Sequence, residues 1–433
     1  MKMSKKISED SKNRNVIGGF AVSPASKAPP LIRNILLVGF GFNFRRISGD
    51  KNFWLGLSRE LSPELEKLVV VSVNSSPVKF EQEGNIYLYN VHRPLHFKKD
   101  DGKVLRFQFQ KHPLPWEILE RSVTMLKLIP FLKKVVKLHD IKVIHLMDNF
   151  GFLTGLVKVV FPKLRVYATA ITYNTHDLPL NLYSFYQRIV LGNMDKMVAS
   201  SKAYGEKLIE HGLSKEKIKV IRWGVPLANG NEGKLLEEKT SSSPKVILWT
   251  GFTQQIKIKS FYVSLSLAQN IIRKKLAVDF IFAFKPECFD KRYVSFQQEH
   301  LQVITTSPED FPKLLESADL LLAPVESFRS IIAPPLSWLE CMALGIPIIT
   351  TQSPGVDEVI KHKVNGFVAE SDEELEGLIE KVLEDEKLLS KVSTKAKERV
   401  KENYNLKDIA QDYLKLWRED GRTVLSRQNR LSV

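Results

Sequence analysis

Short, almost uninterrupted apolar runs recur along this chain, and between most of them the apolar residues return every three or four positions. The first series of runs lies at residues 33–38, 68–73, 143–147, 166–171 and 197–200, with a helix-period stretch at 52–61. A second lies at 246–250, 278–284, 303–305, 320–323 and 346–350, with helical stretches at 261–272, 308–316 and 336–343. Runs apolar on both faces need cover on both sides. Helical segments between them supply it as crossovers, which excludes a simple meander of hairpins and predicts parallel strands in doubly wound α/β layers.

Between the two series, residues 225–244 (VPLANGNEGKLLEEKTSSSP) lose the periodicity and collect Gly, Ser, Lys and Glu, as a linker does. A chain of 433 residues is also long for one core, so two Rossmann-like domains are expected, at 31–224 and 245–404. Residues 1–30 form a polar basic leader, an amphipathic stretch at 405–420 is expected to cross back to the first domain, and 421–433 form a basic tail. Ligands of such sheets bind outside the carboxyl ends of the strands.

The 64 basic residues against 49 acidic ones give a net charge of +15, which suits an anionic partner: nucleotide phosphates, a lipid surface or nucleic acid. The basic residues are not interleaved with aromatics into a nucleic-acid module, so no nucleic acid is expected. Only Cys288 and Cys341 occur, far apart, which argues against a disulfide framework and a zinc site and for a reducing cytoplasm. Residues 1–30 lack the apolar core of a signal peptide, and no run reaches the roughly 18 apolar residues of a membrane span. Residues 126–136 (LKLIPFLKKVV) and 179–190 (PLNLYSFYQRIV) pair apolar with basic side chains. They read either as faces resting on an anionic bilayer, at the inner membrane face, or as buried helices with solvated lysines.

The densest segment is 334–351, PPLSWLECMALGIPIITT, a short helix feeding a buried strand. The Pro pair suits a first turn, Ser337 and Glu340 sit near the positive end, and Gly345 then Pro347 end the helix. Gly355-Val356-Asp357-Glu358-Val359-Ile360 and an Asn365-Gly366-Phe367-Val368 turn follow. With the two-half architecture, these motifs make residues 33–418 resemble the GT-B glycosyltransferases of family 4, most strongly over 320–368.

That resemblance implies a retaining, metal-independent transferase with a nucleotide-diphospho-sugar as co-substrate, no other cofactor, and a glycan, glycolipid or lipid-linked acceptor. The C-terminal half would hold the nucleotide. Glu340 would accept hydrogen bonds from the ribose hydroxyls, and a carboxylate's two oxygens do match a vicinal diol. The alternative is a carboxylate that merely complements the helix dipole. Family members carry another glutamate eight residues earlier, where this chain has Ile332, and Glu326 is the nearest substitute. The Pro pair removes two backbone donors, so the amides of Leu336 and Ser337 would serve the sugar or phosphate oxygens.

The family's phosphate-binding Arg is replaced by Phe252, next to Gly251, while Lys257 and Lys259 are candidates for its Lys and Arg329 for the lost Arg. Either lysine alone is equally a solvated surface residue. In the N-terminal half His176 matches the family's catalytic His, and His145 and Asp148 end another strand, lining the same cleft or serving packing and loop capping. Gly39-Phe40-Gly41-Phe42-Asn43 lacks the third Gly of a dinucleotide fingerprint. Gly41 still permits close approach, with Asn43 in the same turn and Arg45 and Lys51 able to meet phosphate. Two other readings stay open: a nucleotide-sugar-binding protein without transfer, motivated by Ile332 and Phe252, and a basic nucleic-acid-binding protein.

Overall fold

The computed structural model describes residues 32–45, 50–74, 80–92, 114–147, 154–170, 193–210, 212–227, 244–251, 258–286, 289–325 and 334–419. Among them are two sheets. The first is built from β1 (Asn34–Phe40), β2 (Lys67–Asn74), β3 (Phe80–Glu83), β4 (Ile86–His92), β5 (Val143–Leu146), β6 (Arg165–Ala170), β7 (Lys196–Ala199) and β8 (Ile218–Val220), in the order β3-β4-β2-β1-β5-β6-β7-β8. All its pairings are parallel except β3 with β4. The second holds β9 (Lys245–Gly251), β10 (Val278–Phe284), β11 (Leu301–Thr305), β12 (Leu320–Leu322), β13 (Ile348–Thr351) and β14 (Phe367–Ala369), in the order β11-β10-β9-β12-β13-β14. It is parallel throughout.

The expected doubly wound α/β class is what the chain adopts. In each sheet the strand order reverses beside the first strand of its series, at β1/β5 and at β9/β12. Those reversals are where a crevice opens for ligands. Phe367 and Val368 belong to β14 and not to a turn. The turn before them is tied by Asn365, whose side chain accepts from the Lys361 amide at 2.6 Å and donates to the Val359 carbonyl at 2.9 Å.

The two sheets repeat one local device. Asp195 stands just before β7, and its carboxylate accepts from the Val166 amide at 2.7 Å while its own amide donates to the Val166 carbonyl at 2.9 Å. Asp319, just before β12, makes the same pair with Val246 at 2.7 and 2.8 Å. A carboxylate of this kind satisfies the first unpaired amide of a neighbouring strand and fixes register from the amino-terminal edge.

The described helices are α1 (Asp50–Leu61), α2 (Leu114–Leu138), α3 (Leu156–Val160), α4 (Lys202–Glu210), α5 (Ile258–Arg273), α6 (Phe311–Ser317), α7 (Leu336–Leu344), α8 (Val356–Val359), α9 (Glu374–Glu384), α10 (Glu386–Asn403) and α11 (Leu406–Glu419). Leu36, Val38, Val69 and Val71 point to one face of the first sheet, against Met125, Leu128 and Leu132 of α2. On the opposite face lie Ile35, Leu37, Leu68 and Val70 with Phe53, Trp54 and Leu57 of α1, and Tyr413, Leu414 and Trp417 of α11 join them. Thus the last helix packs on the first sheet. Its route there is pinned where Val225 pairs with the 404–406 segment: the Val225 amide donates to the Tyr404 carbonyl and the Leu406 amide to the Val225 carbonyl, at 2.9 and 3.0 Å.

Candidate functional site

At the reversal of the second sheet, β12 leads through Ala323 and Val325 toward α7. Polar side chains at the end of β13 moor this exit. Thr351 Oγ1 accepts from the Val325 amide at 2.9 Å and donates to the Val325 carbonyl at 3.0 Å, and Thr350 Oγ1 donates to the Ala323 carbonyl at 2.7 Å. Both threonines are buried, so the Thr pair, which the sequence offered only as strand, fixes the root of the segment that leads into α7.

Pro335 caps α7 from an extended conformation (φ −57°, ψ 128°) and the helix proper begins at Leu336, so the Pro pair precedes the first turn instead of occupying it. Trp338 and Leu339 donate to the Pro335 carbonyl at 2.9 and 3.3 Å, which leaves the Leu336 and Ser337 amides ahead of the intrahelical ladder. No side chain caps this end among the described residues. Leu336, Trp338, Leu339, Cys341 and Met342 are buried, whereas Ser337 and Glu340 are half-buried and, three apart, share a face. Glu340 begins the second turn. Burial pushes the Cys341 thiol well above its ordinary pKa, and the Glu340 carboxylate adds to that, so Cys341 is an inert core residue.

The helix ends as its sequence predicts. Gly345 adopts φ 84°, its amide donates to Met342 and the Ile346 amide to Cys341, a Schellman closure. Together the threonines, Pro335 and Gly345 hold a nine-residue helix by both ends.

Gly251 ends β9, and a Cβ there would lie 2.6 Å from the Trp249 indole, so the buried Trp249 ring requires glycine. Lys259, the second residue of α5, is exposed and pairs with Asp372 at 3.0 Å. A phosphate would have to share or replace that partner.

In the first sheet, Gly41 turns the chain after β1 with φ 70°, and its amide donates to the Val73 carbonyl at 3.1 Å. Phe42 is buried, and its carbonyl accepts from Ser72 Oγ at 3.0 Å. Asn43 Oδ1 accepts from the Arg45 amide at 2.7 Å, a local turn that leaves Arg45 exposed. The Lys51 stem runs past Gly41, 3.3 Å from where a Cβ would stand. Gly41 and Lys51 are therefore brought together past the carboxyl end of β1, beside the end of β2, with Asn43 two residues on.

His145 is a correction. It does not line a cleft: its residue is fully buried, enclosed by Trp54, Tyr167, Tyr413 and Trp417. Trp417 Nε1 donates to Nδ1 at 3.1 Å, so the ring proton sits on Nε2 and faces Thr169 Oγ1 at 2.7 Å. Burial pushes its pKa down to about 3, which keeps it neutral. Its role is to seat α11. His176, Glu326, Arg329, Ile332, Lys257, Phe252 and Asp148 lie outside the described residues.

One residue gained no role from the sequence. The Glu358 carboxylate, on α8, accepts from the Lys202 and Ala203 amides at 2.8 and 2.7 Å, capping the start of α4. Its own carbonyl accepts from Arg399 Nη2 at 2.6 Å and Tyr404 Oη at 2.7 Å. Glu358 thereby ties the element after β13 to the helix after β7. Its acidic character in the Gly355–Ile360 motif was visible, but a partner more than 150 positions away was not.

Two family models match the chain: "Glycosyltransferase Family 4" over residues 52–229 and "Glycosyl transferases group 1" over 295–399, together more than half of its length. Among curated proteins, the chitobiosyldiphosphodolichol beta-mannosyltransferase of Candida albicans is 26% identical over 248 residues, 52% of this chain and 54% of that protein. The chain spans about half or less of the length of the curated relatives it matches. Among solved structures, a glycosyltransferase from Rickettsia africae ESF-5 superposes with a TM-score of 0.64 at 16% identity, covering 90% of this chain and 99% of that one. HepE of Anabaena, solved in complex with UDP, gives 0.59 at 15% identity, covering 88% and 99%. Two matched family models and two Rossmann-like sheets with these neighbours place the chain in glycosyltransferase family 4, with the GT-B fold.

Proposed function

We propose that this chain is a retaining, metal-independent glycosyltransferase that moves a sugar from a nucleotide-diphospho-sugar to an acceptor hydroxyl. The observation that carries the reading is the start of α7. There Ser337 and Glu340 share a half-buried face beside two amides ahead of the helical ladder, inside a segment matched by the group 1 family model. Glu340 accepts the ribose hydroxyls, while Ser337 and the amides of Leu336 and Ser337 meet the sugar or diphosphate oxygens.

From the N-terminal half, His176 hydrogen-bonds the donor sugar. Lys259, released from Asp372, stabilises the departing diphosphate together with Lys257 or Arg329, because charge stabilisation is the main work in such a transfer. Glu326 stands in for the glutamate missing at Ile332. Gly41, Asn43 and Lys51 present the acceptor side, and Arg45 adds positive charge. Transfer needs no side-chain nucleophile: the acceptor hydroxyl attacks on the face the diphosphate leaves, and a diphosphate oxygen takes its proton. HepE, solved with UDP-glucose, supports a uridine donor, and the Candida relative's name supports a lipid-linked acceptor. Such an enzyme works in the cytoplasm at the inner membrane face; no described helix is long and apolar enough to cross a membrane.

The test is incubation of purified protein with labelled nucleotide sugars, with and without lipid extract. The expected result is donor-dependent transfer, lost in His176→Ala with the fold intact. From an α-linked donor the product should also be α-linked; a β-linked product overturns retention, and donor binding without transfer overturns the enzyme reading.

A further inference from the structure

We propose that the outer face of α2 docks the protein on an anionic lipid bilayer. The buried face of this helix, Met125, Leu128, Leu132 and Val135, is already committed to the core of the first sheet. Opposite it, Leu126, Lys127, Lys133, Lys134, Lys137 and Leu138 are exposed, with the two leucines 53% and 69% accessible. Lys133, Lys134, Lys137 and Leu138 are linked by spacings of three and four, and Leu126 and Lys127 lie seven positions before Lys133 and Lys134, so the six share one broad face with Pro130 exposed between them.

Charge separates this face from an ordinary solvated helix flank. From residue 121 to 138 the chain has no Asp or Glu, and none of the four lysines pairs with a carboxylate among the described residues. Glu117 and Glu120 precede the stretch on the same helix, and the acid that follows it, Asp140, is engaged by Lys142 at 2.6 Å. Solvated lysines elsewhere in the molecule do find carboxylates, as Lys274, Lys207 and Lys395 show. Here, among the described residues, no carboxylate pairs with the four lysines, and large leucines stand beside the cations.

An aromatic flank continues the face. Phe80, on the edge strand β3, is 53% exposed, with its ring 5.1 Å from that of Tyr89. The Tyr89 ring meets Phe131 of α2 edge-on at 5.8 Å, and its hydroxyl is 2.8 Å from His139 Nε2. Aromatic rings with polar tips favour the headgroup level of a bilayer, lysines reach its phosphates and leucines enter the acyl boundary. On β3, Arg59 neutralises Glu83 at 2.7 Å, and Glu81, which accepts from Asn90, marks the acidic limit of the footprint. Nucleic acid would use the same cations but would not reward exposed leucines.

The experiment is co-sedimentation of the full chain with vesicles of phosphatidylglycerol and phosphatidylcholine in equal parts, and with phosphatidylcholine alone. Binding is expected to the anionic vesicles only and to weaken with salt. Each lysine near such a surface contributes about fivefold in affinity, so changing Lys127, Lys133, Lys134 and Lys137 together to Gln should weaken binding at least tenfold with an unchanged melting temperature. If that variant fails to fold, Lys133→Gln with Lys134→Gln is read in its place. Leu126→Ser with Leu138→Ser should weaken binding while keeping its salt dependence. Absent binding to anionic vesicles, or binding indifferent to the lysine changes, overturns the proposal. So does salt-sensitive binding of duplex DNA without vesicle binding. No sugar donor is present, so failure here leaves the transferase reading untouched, and loss of that reading leaves this surface.

Discussion

The seat of α11 on the first sheet and the start of α7 on the second both place polar groups beside dense apolar packing, and they treat them in opposite ways. At the α11 seat, both nitrogens of His145 are engaged inside a cage of four aromatic rings. At α7, the polar face of Ser337 and Glu340 is half-buried, and the helix start has no side-chain cap among the described residues. A buried polar group whose partners are all protein serves architecture, because any ligand would first have to break those bonds in a dry environment. A half-buried carboxylate beside amides ahead of the ladder lies where a ligand can reach both.

Breaking the α11 seat should have the largest effect. Trp417→Ala deletes a fully buried indole and leaves His145 without its donor, so stability should fall by about 3 to 5 kcal/mol in urea denaturation. A loss under about 1 kcal/mol would mean that α11 is only loosely seated.

Glu340→Ala probes the other region, where the fold should survive. Losing hydrogen bonds to a charged acceptor costs about 1.5 to 3 kcal/mol, so donor affinity should drop about 10- to 100-fold while the melting temperature hardly moves. A large stability loss with unchanged affinity would turn α7 into a second architectural site.

The pH dependence sharpens the contrast. His145 has its pKa pushed down to about 3, while the unfolded chain titrates near 6.5. Between these values the unfolded state binds the extra proton, so the stability contribution is complete above about pH 6.5 and is lost as pH falls toward 3. The slope from this group is at most about 1.4 kcal/mol per pH unit. Thermal melts over this range should show it in the wild type, with a shallower dependence in His145→Gln.

The legible part of the molecule was its buried strands: the five runs expected in each series all appear, within a few residues of their predicted bounds. Four strands were missed, and β4 (IYLYNVH) is the longest of them: it alternates buried and half-buried residues and so lacks the continuous apolar run that marked the others. β3 (FEQE) lies on an exposed edge and carries no apolar signal, and β8 and β14 are three residues long. For the candidate site, local chemistry was readable and tertiary partners were not. His145 looks like any strand-end histidine until Trp417, 272 positions later, closes over it. Glu358 looks like any helix acid until it reaches the start of α4.

Glu358→Ala should have the smallest effect, about 1 kcal/mol as for the loss of a helix cap. Amide exchange at Lys202 and Ala203 should rise in the variant. Unchanged exchange there would mean that solvent replaces the carboxylate without consequence.

The account rests on Glu340 holding the ribose of a nucleotide, and calorimetry of a double cycle tests it most directly. Uridine and guanosine diphosphates and their 2′-deoxy forms are titrated into the wild type and into Glu340→Ala. The wild type should bind one ribonucleotide and lose about tenfold or more on removal of the hydroxyl, as expected for a hydrogen bond to a charged group. Glu340→Ala should bind the two forms equally. Equal discrimination by both proteins, or no nucleoside diphosphate binding to the wild type, would contradict the account.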